Sequence, residues 1–191
     1  MHLFTDASGS IGCGGVFGNR WFQVRWPSWL LESKPSIALL ELLPVLVACI
    51  VWGQNWQERK ILFHSDNSSV VSVCAKMSSP NVVIMDVIRR IFFVAAQNNF
   101  TLRLTHISGT DNSLADALSR FDNSRFFALH PSAERVCVPA DHTLEFLHEA
   151  VLQPGNCSSS MQDVENSFAV DWRLLPEEVM EMGSNDFTTF V

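Results

Sequence analysis

Leu3-Phe4-Thr5-Asp6-Ala7-Ser8-Gly9-Ser10-Ile11-Gly12-Cys13-Gly14-Gly15-Val16-Phe17-Gly18-Asn19-Arg20-Trp21-Phe22-Gln23-Val24-Arg25-Trp26 is the stretch that decides which kind of sheet this chain builds. It reads as three short strands, residues 3–6, 11–17 and 20–26, separated by small-residue turns at 7–10 and at Gly18-Asn19. Connections this short cannot carry a strand over to a parallel neighbour, so the three form an antiparallel meander.

Outward from the meander the pattern changes period. Ser36 is placed to cap a helix over residues 37–52, and Gly53 to end it. Residues 60–64 form a short apolar strand. Residues 67–77 and 82–98 read as helices separated by Ser78-Ser79-Pro80, residues 101–107 as a strand and 112–120 as a last helix. Strands joined through helices lie parallel. The expectation is therefore an α/β domain of order βββαβααβα, with a mixed five-stranded sheet (three antiparallel strands, then parallel ones) and helices on both faces.

Composition bounds the rest. With 191 residues, 47% hydrophobic and 17% charged, the chain supports one sizeable core and is too apolar for disorder. Its longest apolar run, 37–52, carries Glu41 and Pro44 and is shorter than the roughly 20 residues of a membrane span, so no membrane partner is expected. Residues 1–6 have no basic stretch before an apolar one, which leads to the expectation of an intracellular protein, cytoplasmic or nuclear. Five widely spaced cysteines imply neither a disulfide framework nor a zinc site. Residues 1–120 hold ten Lys+Arg and eight Asp+Glu, whereas 121–191 hold three and twelve. That break, followed by Pro131, Pro139 and Pro154-Gly155, places a folded domain at 1–124 and an acidic, partly disordered tail at 125–191, with one possible helix at 142–151.

Four carboxylates stand out. Asp6 and Asp66 end apolar strands, where an Asp is commonly a turn former. Glu41 is flanked by Leu39, Leu40, Leu42 and Leu43, and a carboxylate buried among them needs a cation or donors. Asp116 lies early in the last helix, a favourable place in the helix dipole, between the small residues Ala115 and Ala117. Since ligand sites of α/β sheets gather at the carboxyl ends of parallel strands, convergence is the simpler reading. Gathered acids raise one another's pKa unless divalent cations neutralise them, and oxygen donors without Cys select Mg²⁺ or Mn²⁺.

Thr5-Asp6-Ala7-Ser8, Glu41-Leu42-Leu43, Ser65-Asp66-Asn67 and the run from His106-Ile107-Ser108-Gly109 to Leu114-Ala115-Asp116-Ala117-Leu118-Ser119-Arg120 resemble the ribonuclease H domain of retroelement reverse transcriptases. The last six residues look like the closing motif of gypsy-type elements, and residues 36–47 and 120–129 look most like the DIRS and Ngaro group. The resemblance implies a ribonuclease H-like fold and a metal-dependent endonuclease that cleaves the RNA strand of RNA–DNA hybrids. It implies two Mg²⁺ ions, with Mn²⁺ as substitute, on Asp6, Glu41, Asp66 and Asp116, with Asp6 bridging. His106, ten residues before Asp116, falls where the family places a histidine that assists product release. Ser8, Gly9, Asn67 and Asn112 are expected to contact nucleic acid, and Gly12, Gly14 and Gly15 to let the substrate approach the backbone.

The charge of +2 over residues 1–120 is low for a nucleic-acid binder, and Arg20, Arg25, Arg89, Arg90 and Arg103 are the candidate phosphate contacts. Tyrosine is absent, so neither the YxDD polymerase motif nor a tyrosine recombinase nucleophile is present, and a polymerase domain on another part of a larger protein is the expected partner. The alternative is a non-catalytic module of the same fold, a domesticated or degenerate connector. Pro44 is expected to kink the helix that carries Glu41.

Overall fold

The computed structural model describes residues 1–145, all within the first of the two units into which the chain divides, Met1–Pro154. The meander is present as β1 (His2–Ala7), β2 (Gly12–Phe17) and β3 (Arg20–Arg25). A short helix α1 (Ser28–Glu32) leads to α2 (Ile37–Trp52), and β4 (Lys60–Ser65), α3 (Ser68–Lys76), α4 (Val82–Gln97) and β5 (Thr101–His106) follow. Two further helices, α5 (Ser113–Ser119) and α6 (Asn123–Leu129), come after the sheet is complete. The strands lie in the order β3-β2-β1-β4-β5, with β1–β2 and β2–β3 antiparallel and β1–β4 and β4–β5 parallel. This is the mixed five-stranded sheet expected, and α1, α6 and two 3₁₀ turns, Gly53–Trp56 and Asp141–Leu144, are added to its order.

Register assigns the faces. Val16 and Trp21 are cross-strand partners and pack with Leu118 of α5 and Phe126 of α6. Gly15 and Phe22, one residue along, turn to the opposite face, where the Phe22 ring lies 5.3 Å from that of Trp52 in α2. Helices thus cover both faces. Helix α2 is apolar on all sides because it is buried on all sides: Leu42, Leu43, Val45, Leu46 and Val47 are each no more than 1% exposed. Trp52 continues into an aromatic cluster with Phe17, Phe22 and Trp56, and Trp56 into Phe63 and Phe100. Each such ring contributes about 1.5–3 kcal/mol by leaving water.

Three expectations change. Residues Ile37–Trp56 do reach 20 residues of mean hydropathy 2.0, enough by composition to cross a bilayer, but 72% of the apolar window is buried within the protein, so this is its core helix. Pro44 lies inside α2, which continues as one helix from Ile37 to Trp52 and is capped by the Ser36 side chain on the Leu39 N–H. The packed unit also does not stop at 124. Phe126 is fully buried, the Glu134 N–H donates to the Asn19 carbonyl, and the Val138 N–H donates to the Trp21 carbonyl. The break in charge marks where acids accumulate, whereas packing is decided by Phe126, Ala133, Ala140 and Leu144. Of the expected helix at 142–151, the described part belongs to a 3₁₀ turn, Asp141–Leu144, and the rest, with the acidic segment 176–182, lies outside the described residues.

Candidate active site

Parallel pairing of β1 with β4 sets their carboxyl ends side by side. Asp6 is the penultimate residue of β1 and Asp66 directly follows β4, so both reach the same edge of the sheet. Glu41, in the second turn of α2, enters from the covering layer and accepts a hydrogen bond from the Ala7 N–H. One carboxylate oxygen from each of Asp6, Glu41 and Asp66 lies within 4.8 Å of the others. Asp6 and Glu41 are each 6% exposed.

Burial dominates their electrostatics. It pushes Asp6 up to about 6, with the charges of Asp66 and Asp116 adding to the rise and a hydrogen bond from Ser119 opposing it. Glu41 is pushed up to about 9, again chiefly by burial and then by the charges of Asp6 and Asp66. Its Oε2 is buried with no hydrogen-bond partner. An orphaned carboxylate oxygen in a cluster of three carboxylates fits a hard divalent cation such as Mg²⁺ or Mn²⁺.

Asp116 behaves differently. It projects from α5 near enough to raise Asp6, yet it is not among the three acids that converge. Its Oδ1 accepts from Arg120 Nε at 2.7 Å and its Oδ2 from Arg125 Nη1 at 2.6 Å. Partial burial works to raise its pKa, but the hydrogen bonds and charges of the two arginines outweigh that and hold it below the usual value. His106 ends β5 on the rim, where its Nε2–H donates to the Asp66 main-chain carbonyl at 3.1 Å.

Helix α5 reaches this position because of Gly14, the cross-strand partner of Asp6. A Cβ on Gly14 would stand 2.4 Å from that of Leu118, so only glycine lets the helix lie directly on β2. The glycines therefore serve internal packing and not substrate approach: Gly12 is closed in by Val24 and Phe121, and Gly15 by the Phe22 ring. Asn112 is likewise corrected. At 1% exposure its amide Nδ2–H donates to the Thr5 carbonyl, tying α5 to β1, and it offers no surface to a nucleic acid. Ser8 is also buried, its Oγ accepting from the Ser10 and Ile11 N–H groups inside the β1–β2 turn. Asn67 caps α3 by accepting from the Ser69 and Val70 N–H groups, which occupies its Oδ1. Gly9 is exposed at the turn tip.

The sequence reading missed three neighbours of the site. Ser119 is fully buried and its Oγ–H donates to Asp6 Oδ2 at 2.5 Å. Arg120 stands four residues after Asp116, a spacing that itself predicts the ion pair. Arg125 belongs to another helix, and nothing in local spacing announces it. Among the arginines proposed for phosphate, Arg25 sits over the Phe121 ring at 4.1 Å and Arg90 pairs with Asp86.

No known family model matches the chain, and no curated protein matches it. Among solved structures it is similar to ribonuclease H1 from the halophilic archaeon Halobacterium salinarum NRC-1, at 15% identity and TM-score 0.48 over 63% of this chain and 97% of that one. It is also similar to LC11-RNase H1 in complex with an RNA/DNA hybrid, at 15% identity and TM-score 0.49 over 64% of this chain and 97% of that one.

Proposed function

We propose that the chain is a divalent-metal-dependent endonuclease that cleaves the RNA strand of RNA–DNA hybrids, as the ribonuclease H part of an intracellular retroelement reverse transcriptase. The observation that carries this reading is the meeting of Asp6, Glu41 and Asp66 in one cluster with a buried, unpartnered Glu41 oxygen, at the carboxyl ends of two adjacent parallel strands. The motif resemblance supplies the substrate class.

In this reading Asp6, Glu41 and Asp66 would hold Mg²⁺, or Mn²⁺ in its place, and Asp116 would join them from α5 to complete a site for two ions. Such ions, when bound, supply an activated water and offset the charge that develops on the phosphate. The protein's own groups fix the arrangement. Ser119 holds the Asp6 carboxylate in one orientation, and the Ala7 N–H holds that of Glu41. His106, exposed on the rim beside Asp66, would assist product release. A polymerase domain is the proposed partner that supplies further phosphate contacts.

The engagement of Asp116 by two arginines favours a second reading, a non-catalytic module that keeps the fold. Cleavage assays on the full chain separate the two, using end-labelled hybrid, single-stranded RNA and duplex DNA with Mg²⁺, Mn²⁺ or chelator. The proposal expects metal-dependent cleavage of the hybrid's RNA strand, lost in Asp66→Asn. A folded chain that leaves the hybrid intact under both metals, or that prefers duplex DNA, overturns it.

A further inference from the structure

Two guanidinium groups meet on Asp116. Arg120 and Arg125 have side chains 57% and 43% exposed, while the carboxylate they share is 23% exposed. They reach it from two elements. Arg120 directly follows α5, and Arg125 stands on α6 next to Phe126, whose fully buried ring fixes that helix against Trp21 and Leu118. The helix that carries Arg125 is therefore held in place by packing and not by Asp116, while the two guanidinium groups themselves meet on the Asp116 carboxylate. Two N–H donors converge on the two oxygens of one anion, an arrangement that suits a phosphate group as well as a carboxylate. Arg120 also lies close enough to Asp6 for the charges to interact, so this anion position adjoins the three-acid cluster.

We infer that Arg120 and Arg125 form a backbone-phosphate site, that the Asp116 carboxylate competes with a phosphodiester for it, and that Asp116 is exchanged between this pair and the cation cluster. The inference rests on the metal site proposed above. When Asp116 turns toward a cation, the guanidinium pair loses its anion at the rim where a nucleic-acid strand would pass, and a phosphodiester takes its place. Metal and substrate then favour each other: the cation frees the arginines for the strand, and a strand bound to the arginines frees Asp116 for the cation. Without either, Asp116 stays paired and the site stays open on that side.

The test is Mn²⁺ titration calorimetry on the full chain without nucleic acid, joined to the KM for hybrid cleavage at saturating Mn²⁺. The proteins are wild type, Asp66→Asn, Arg125→Gln and the double variant Arg120→Gln/Arg125→Gln. Both arginines are solvent-accessible, and melting curves confirm that the variants fold. The exchange predicts that the double variant binds Mn²⁺ about three- to tenfold more tightly than wild type, as expected for losing two exposed competing ion pairs. It also predicts that its KM for the hybrid rises and depends less steeply on salt, with Arg125→Gln intermediate in both. Unchanged or weaker Mn²⁺ binding in the double variant, with binding still abolished by Asp66→Asn, overturns the exchange and leaves the metal site standing. An unchanged KM and salt slope overturns the phosphate contact. Absence of Mn²⁺ binding in every protein overturns the metal site, and the exchange with it.

Discussion

Asp6 and Asp116 are neighbours on opposite sides of the β1–α5 junction, and their surroundings drive them in opposite directions. Asp6 is buried beside Glu41 and Asp66 with one serine donor, and its pKa rises to about 6. Asp116 is more open, holds two arginines and falls below the ordinary value. An acid cluster that raises its own pKa stores a demand for positive charge, whereas an acid already paired has met it. The three-acid side of the site is thus prepared for a cation, and the α5 side is prepared to change partners.

The largest effect that sharpens this contrast is the loss of Asp66. On the proposed function, Asp66→Asn is expected to lower hybrid cleavage by about a thousandfold or more while the domain still melts cooperatively, since the residue would hold the metal and is only half-buried. Next comes the support of the arginine side. Phe126→Ala leaves a cavity between α5, α6 and β3 and is expected to cost about 3–5 kcal/mol in a denaturant melt.

Glu41 tests the other side. Asp6 and Glu41 bind their protons more tightly folded than unfolded, so the folded state carries more protons between the ordinary values of 3.8 and 4.5 and the raised values of about 6 and about 9. Stability of the metal-free domain therefore falls as pH rises through that window. Thermal melts in chelator should show this decline, and saturating Mg²⁺ should flatten it. Glu41→Gln, which removes the charge and keeps the shape, should remove most of the slope and stabilise the metal-free domain by about 2 kcal/mol near pH 8. A metal-free domain whose stability rises with pH across this range contradicts the buried, unpaired state of Glu41. The smallest effect belongs to Ser119→Ala, expected to cost about 1 kcal/mol through the lost bond to Asp6.

Much of this was legible in the chain because it is local. Period and turn chemistry located all five strands and α2 to α5, and Ser36 caps the helix its position announced. Helix α1 escaped notice because five residues after Pro27, with no side-chain cap, carry no periodic signal. Helix α6 escaped because it follows Phe121, whose φ of 59° turns the chain where composition showed only a break in charge. Asp6, Glu41 and Asp66 were legible as acids out of place in apolar surroundings, and their meeting followed from the parallel pairing of β1 and β4. The state of Asp116 was not, because Arg125 reaches it from another helix. Asn112 was misjudged for a related reason: a polar side chain in a loop motif reads as surface, and only the Thr5 carbonyl, supplied by a strand over a hundred residues away in sequence, accounts for its burial.

The most direct test of the central claim is an anomalous-scattering map from crystals of the full chain soaked in Mn²⁺ without nucleic acid. The account predicts a peak enclosed by the carboxylates of Asp6, Glu41 and Asp66, with none in crystals of Asp66→Asn. Well-ordered crystals with no peak there, or with Mn²⁺ bound elsewhere while these three acids stay unliganded, would contradict it.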